Sequence, residues 1–179
     1  MNNWVADNIE HILVLAILIA RITDIATTYI ATPKFKLEAN PLIRKYKLPL
    51  IMASLSLALV PYATIKGAII VLVVSLLVSV SNSLRLWLVK AVGEDAYYQL
   101  LLRAALAANF RLSIFLNILP GLIMLLLAAC VFLFYPSPDR DMGFYFALGM
   151  MVYGGMIVVN FPINFIRTRR LARLQAMSS

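Results

Sequence analysis

The sequence predicts an all-α polytopic membrane bundle with five transmembrane helices and one interfacial amphipathic helix. The 179 residues are 63% hydrophobic and 13% charged, with a mean hydropathy of +0.89, whereas soluble domains carry about 25% charged residues. Long apolar runs recur along the chain, and short basic clusters separate them. The length suits a single integral membrane domain over residues 1–179, with no separate soluble domain.

The net charge of +8 comes from basic residues that stand between the apolar runs. This pattern is typical of the positive-inside rule and of contact with anionic lipid head groups, and we do not expect a nucleic-acid partner. The single cysteine, Cys130, lies inside an apolar run and is interpreted as small apolar filler. No Lys or Arg precedes the first apolar run, so we expect that run to be retained rather than cleaved as a signal peptide.

The first span is predicted over residues 9–32. It ends before Pro33, because the residue that precedes a proline disfavours helical geometry. After a basic loop, Asn40 and Pro41 favour a helix start, with Asn as the cap and Pro at the first helical position. The second span, over residues 48–62, is short and flanked by prolines. If it were re-entrant, the orientation of every later span would invert.

The remaining spans follow from further apolar runs. The third is predicted over residues 68–89, with a tight turn over residues 61–67 before it. Residues 94–108 are too polar to span and predict an amphipathic interfacial helix with acidic residues in its first turn. The fourth and fifth spans are predicted over residues 112–135 and 143–166, and a basic tail follows.

The basic residues predict the orientation. Five spans place the termini on opposite sides of the membrane. Of the Lys and Arg residues in the connections and the tail, twelve lie on one side and two on the other. We expect the protein to lie in the cell membrane, that is, the inner membrane. The positive-inside rule then puts the N-terminus outside and the C-terminus in the cytoplasm. The twelve are Lys34, Lys36, Arg44, Lys45, Lys47, Lys90, Arg103, Arg111, Arg167, Arg169, Arg170 and Arg173, against Lys66 and Arg140.

Polar residues recur within these spans, mostly in the cytoplasmic half. Arg21, Asp24 and Thr28 are spaced i, i+3, i+7 and therefore share one helix face. An ionised side chain in hydrocarbon costs about 3 kcal/mol or more, so such residues usually face inward and are paired. The predicted pocket contains Arg21, Asp24, Thr28, Glu38, Asn40, Asn82, Arg85, Asn117 and Asn160, and further polar residues of the same spans are Ser75, Ser79 and Asn164.

The polar cluster has two interpretations. In the structural one, Asn and Ser hold the helices together at roughly 0.6–2 kcal/mol each, and Arg21 with Asp24 forms a neutral pair. In the functional one, the cluster is a pocket that opens to the cytoplasm. Asp24, Glu38 and Asn40 are oxygen donors that suit Mg²⁺, Ca²⁺ or an ammonium group rather than zinc, provided that the loop folds back under the first span. The predicted metal ligands are then Asp24 and Glu38.

No catalytic residue is assigned, because the only histidine, His11, and the only cysteine, Cys130, flank no shared site. The leading hypothesis is a non-enzymatic binding or transport unit, or an accessory subunit of a membrane complex, whose pocket holds a cation or a lipid head group. One alternative is a metal-dependent membrane enzyme acting on a lipid-linked substrate through Asp24 and Glu38. Another is a purely structural assembly subunit. Expected partners are membrane lipids, subunits of a complex, or a second copy.

The pattern Asp24-x-x-x-Thr28, followed by Glu38-x-Asn40-Pro41, resembles a widespread family of small prokaryotic membrane proteins of unknown function. The resemblance covers at most residues 9–90. It implies a polar first span and a capped turn, and it implies no activity. In that family the loop before the glutamate is usually rich in glycine and less basic, whereas here it reads PKFKLEANP.

Overall fold

The computed structural model describes residues 4–32, 47–134 and 142–178, and within these ranges it is helical and contains no strand. Three helices are long and apolar enough to cross a membrane, and they lie within Ile65–Val92, Phe110–Leu133 and Met142–Met177. This confirms the all-α class and supports a membrane bundle.

The helices occur in chain order as follows. They are α1 Trp4–Asp7, α2 Ile9–Ala31, α3 Lys47–Ser56, a 3₁₀ turn Leu57–Leu59, α4 Val60–Ala63, α5 Ile65–Val92, α6 Glu94–Ala107, α7 Phe110–Phe134 and α8 Met142–Ser178. The last helix continues through the basic tail, well beyond the end of the predicted fifth span at residue 166.

The second apolar segment is interrupted and short. Leu48–Ala63 contains the 3₁₀ turn, and at 1.5 Å per residue it is roughly 24 Å long, below the ~30 Å hydrocarbon core. The predicted turn over residues 61–67 is wrong in extent. Pro61 lies in the first turn of α4, where its missing N–H costs no hydrogen bond. The break is confined to Thr64, which is extended at φ −163° and ψ 121°.

Helices α2 and α5 run parallel and pack against each other. Near their N-terminal ends, Leu13 and Ile17 of α2 share a buried apolar cluster with Ala68 of α5. Farther along both helices, Asn82 of α5 donates a hydrogen bond to Asp24 of α2. The residue numbers of the contacting side chains increase in the same direction along both helices, so the two helices are parallel.

The segment from α3 to α4 runs antiparallel to α2. His11 near the start of α2 is hydrogen-bonded to the Tyr62 hydroxyl near the end of α4, at 3.0 Å from Nδ1. The two rings also meet edge to face, with centroids 5.7 Å apart. His11 therefore lies at the end of the bundle opposite the polar cluster.

Helices α7 and α8 form an antiparallel pair. Phe132 near the end of α7 meets Phe144 near the start of α8, with ring centroids 4.8 Å apart. At the other end, the rings of Phe110 and Phe165 are 6.2 Å apart. The pair is thus in contact along the whole length of α7.

Glycines allow the closest helix crossings. A Cβ atom built on Gly154 of α8 would lie 2.9 Å from the Gly121 carbonyl oxygen of α7, and one on Gly121 would lie 2.7 Å from the Gly154 oxygen. A Cβ on Gly149 would lie 2.8 Å from the Val73 Cβ of α5. Small residues permit such close backbone approach in membrane helices.

Helix α8 is also parallel to α5. Lys66 at the start of α5 lies over the Tyr145 ring near the start of α8, 5.6 Å from its centroid, and Val73 meets Gly149 one to two turns later. The helices α2, α5 and α8 therefore share one direction. The elements between them that lie antiparallel, α3–α4 and α7, complete an alternating bundle.

A short connection turns the chain at the end of α5. Gly93 adopts φ 84°, a conformation that favours glycine, and α6 follows and packs against α5 and α8. Leu102 and Ala105 of α6 are buried, as is Ala172 of α8. The Arg169 guanidinium lies over the Phe110 ring at 5.3 Å.

We call this end of the bundle, where α5 ends and α7 begins, the basic end. Among the described side chains, Lys66 lies at the opposite end and Arg21 lies in the middle of α2. The basic end carries Arg85, Lys90, Arg103, Arg111, Arg167, Arg169, Arg170 and Arg173.

Candidate functional site

A cavity of about 310 Å³ lies between α2, α5 and α8, towards the basic end. This volume is at the lower limit of ligand pockets, which span about 300–1,000 Å³. Its polar lining residues are Thr27, Thr28, Thr32, Ser81, Asn82, Arg85, Tyr153, Asn160 and Asn164. Its apolar lining residues are Ala31, Val78, Met156, Ile157 and Phe161.

Each helix contributes one stripe of side chains to this lining. On α5 the lining residues Val78, Ser81, Asn82 and Arg85 are spaced i, i+3, i+4, i+7, the spacing of a single helix face. The lining residues of α8 follow the same period from Tyr153 onward. Among the described residues, the cavity is therefore formed where the faces of three helices meet.

The hydroxyl groups on α2 are oriented by their own helix. The Thr27 Oγ1 donates to the Thr23 carbonyl at 2.8 Å, and the Thr32 Oγ1 donates to the Thr28 carbonyl at 2.9 Å. Such bonds satisfy the hydroxyl proton within an apolar bundle. Since each proton is used in this way, these two oxygens remain as acceptors on the cavity wall.

Asp24 is hydrogen-bonded to a residue of the cavity lining. The Asn82 Nδ2 donates to the Asp24 Oδ1 at 2.5 Å and lies 3.5 Å from the Thr28 Oγ1. Asp24 and Asn82 are both half-buried, and a carboxylate removed from water is tolerated only when it is hydrogen-bonded. This contact fixes the Asn82 amide and joins α2 to α5, while the carboxylate itself is not part of the described lining.

Arg21 lies one turn before Asp24 on α2. Its Nε is buried and has no hydrogen-bond partner within the described part of the chain. The hydrogen-bond partner of Asp24 among these residues is Asn82, and the charges of Arg21 and Asp24 also interact electrostatically. Arg21 is thus near the cluster but is not a lining residue of the cavity.

Arg85 is the only charged side chain on the described lining. It is exposed, and the lining amides of Asn160 and Asn164 stand on α8 across the cavity. This part of the lining can therefore donate several hydrogen bonds, and those from the Arg85 guanidinium are charge-assisted.

The lining extends to the surface of the bundle along α8. Met156 lies about the middle of the apolar part of α8, lines the cavity and is 44% exposed. Asn160, one turn farther along the same helix, is also exposed. Two residues of the cavity wall are therefore in part on the outer surface of the helical bundle.

The structure brings together some of the predicted site residues and not others. Thr28, Asn82, Arg85 and Asn160 line the cavity and Asp24 contacts it through Asn82. Asn117 instead donates to the Ser113 carbonyl of its own helix at 2.7 Å and is not on the described lining.

The loop residues of the predicted pocket, Glu38 and Asn40, lie outside the described residues. No group of three or more His, Cys, Asp or Glu side chains in the described ranges could hold a metal ion. The assignment of Asp24 and Glu38 as metal ligands stays a prediction.

The sequence alone did not single out Tyr153, Phe161, Ser81 or Thr32. The signal that could have found them is their helical spacing from predicted residues. Thr32 follows Thr28 by four positions, and Tyr153 precedes Asn160 by seven.

No family model matches this chain, and neither does any curated protein or solved structure. Fold and site together define the class: an all-helical protein with three helices long and apolar enough to cross a membrane, and a polar cavity between parallel helices. The resemblance carried by Asp24, Thr28 and the Glu-x-Asn-Pro turn stays a prediction.

Proposed function

We propose that this chain is a non-enzymatic membrane protein that binds the phosphate-bearing head group of a membrane lipid in the cavity between α2, α5 and α8. It would act as a small binding or transport unit or as an accessory subunit of a membrane complex. The observation that carries this proposal is Arg85, a cation on a described lining whose other polar groups are hydroxyls and amides. Arginine matches the geometry and charge of a phosphate group.

The described lining favours an anionic group over a cation. A cation site needs carboxylate or carbonyl oxygens free to bind it, whereas the Asp24 carboxylate accepts a hydrogen bond from Asn82 and does not line the cavity. The charge that reaches the cavity is positive. The exposure of the lining residue Met156 on the side of the bundle favours a lipid over a soluble phosphate as the source of the anion.

The proposed arrangement in the membrane has five spans, with α2 and the Leu48–Ala63 segment added to the three long helices. The alternating helix directions support it, as does the gathering of basic side chains at one end. The basic end would lie on the cytoplasmic side of the inner membrane, α6 would lie at the membrane–water interface, and the N-terminus would be outside.

Cysteine labelling in intact cells tests this topology. In a Cys130→Ala background, a membrane-impermeant maleimide is expected to label Asp7→Cys and Thr64→Cys from outside, because α2 and the next segment form a hairpin. Ala91→Cys should react only after permeabilisation. Labelling of Asp7→Cys and Thr64→Cys from opposite sides would mean that Leu48–Ala63 is re-entrant.

Replacing Arg85 with glutamine is expected to weaken lipid binding about 10- to 100-fold, the effect of losing a hydrogen bond to a charged group. The measurement is a titration of detergent-solubilised protein with phosphatidylglycerol, read as the lipid-induced rise in Tm. Arg170→Gln is the matched control, since Arg170 is exposed at the basic end and does not line the cavity.

Equal losses in Arg85→Gln and Arg170→Gln would indicate non-specific attraction of anionic lipid and contradict the proposal. Stabilisation by Mg²⁺ or Ca²⁺ alone that is lost in Asp24→Asn would support the cation-binding version of the site instead.

A further inference from the structure

Tyr153 is a buried polar side chain on the wall of the cavity. It is 8% exposed and lines the cavity, and its hydroxyl forms no hydrogen bond within the described residues. The hydroxyl oxygen itself is not completely sealed from solvent. Buried tyrosine hydroxyls usually have a hydrogen-bond partner, so this one is available to a molecule in the cavity.

Tyr153 lies at the end of the cavity that is farthest from the basic end. It precedes Asn164 by eleven residues along α8, which corresponds to roughly 16 Å of helix. Arg85 belongs to the part of the lining near the basic end. Both Arg85 and Tyr153 have long side chains that line the space between these levels, so an occupant that contacts both carries oxygen atoms at two levels.

On α5 and α8, apolar residues line the deeper part of the wall between these two levels. Val78 lies two turns deeper than Arg85 on α5, and Ile157 lies two turns deeper than Asn164 on α8. Beside them, Met156 lines the cavity and is 44% exposed on the side of the bundle. A molecule with a polar head and apolar chains that leave sideways matches this order.

We propose that the cavity takes an ester-linked glycerophospholipid, with its phosphate at Arg85 and an ester carbonyl oxygen that accepts a hydrogen bond from the Tyr153 hydroxyl. This inference rests on the proposed lipid-binding function and makes Tyr153 a second binding residue. The chains of the lipid pass Met156 into the bilayer. An ether-linked lipid offers no carbonyl oxygen at the same place and is a weaker ligand.

The test compares ester-linked and ether-linked phosphatidylglycerol with the same chains, titrated into solubilised wild-type protein and Tyr153→Phe. The phenylalanine keeps the ring and removes only the hydroxyl. Wild-type protein is expected to bind the ester lipid roughly three- to tenfold more tightly than the ether lipid. Tyr153→Phe is expected to lose this preference while its Tm without lipid stays unchanged.

Absence of an ester preference in the wild type, or its survival in Tyr153→Phe, overturns the inference. A fall in the Tm of lipid-free Tyr153→Phe also overturns it, because the hydroxyl would then serve the fold. Arg85→Gln separates the two proposals: if it weakens both lipids while Tyr153→Phe changes nothing, only the assignment of Tyr153 fails. If Arg85→Gln changes nothing, the lipid-binding function itself fails.

Discussion

Replacing Gly154 with leucine is expected to separate α7 from α8 and to lower the free energy of unfolding by about 3 kcal/mol or more. The Cβ alone would meet the Gly121 carbonyl oxygen at 2.9 Å and the Met124 Cβ at 3.1 Å. The first of these atoms belongs to the backbone, so it cannot move aside as a side chain can. The measurement is thermal unfolding of the purified protein in detergent, together with the fraction that elutes as one species in size-exclusion chromatography.

The adjacent residue provides the control. A Cβ on Gly155 would meet no atom within 4 Å, so Gly155→Leu adds the same side chain at a position where its Cβ has open space. Its Tm should be unchanged or slightly higher, because glycine in a helix interior costs about 1 kcal/mol relative to good helix formers. Similar losses for Gly154→Leu and Gly155→Leu would show that the Gly121–Gly154 crossing does not hold the two helices together.

Replacing Asn82 with leucine is expected to destabilise the bundle by about 1–3 kcal/mol, the cost of leaving a buried polar group without its partner. The change removes the hydrogen bond at 2.5 Å to the Asp24 Oδ1. It leaves a half-buried carboxylate facing an aliphatic side chain. Thermal unfolding in detergent, compared with the wild type, measures the loss.

Two further variants interpret this result. Asn117→Leu removes an amide that bonds only to the Ser113 carbonyl of its own helix, so it should cost much less. The double variant Asp24→Leu/Asn82→Leu should be less destabilised than the sum of its single changes, since neither partner is then left alone. If Asn82→Leu costs no more than Asn117→Leu, the contact between Asp24 and Asn82 does not stabilise the packing of α2 on α5.

The helices themselves could be predicted closely from the sequence. Apolar runs and their flanking signals predicted helices at residues 9–32, 68–89, 94–108 and 112–135, and α2, α5, α6 and α7 occupy these positions. Helix formation depends on neighbours within a few residues, so local patterns contain the information. The extension of α8 to Ser178 was missed, because a basic tail carries no apolar run to mark it.

The candidate site could be predicted only in part. Asp24, Thr28, Asn82 and Arg85 were found because polar residues in apolar runs are rare. Asn117 is also a polar residue in an apolar run and was predicted at a similar depth in the membrane. Its amide nevertheless donates a hydrogen bond within its own helix. Depth along a span can be counted from the sequence, whereas the rotation of a helix about its axis depends on what it packs against.

By itself, the sequence determined that the chain forms helices and that some of them are long and apolar enough to cross a membrane. In such an apolar run, a helix gives every backbone polar group a partner within its own segment. Only the tertiary structure decided that α2, α5 and α8 run parallel, that Asn82 is hydrogen-bonded to Asp24, and that Tyr153 and Arg85 line the same cavity. These relations join residues far apart in the chain. They follow from how whole helix faces and glycine crossings fit together, and short-range sequence patterns do not contain that information.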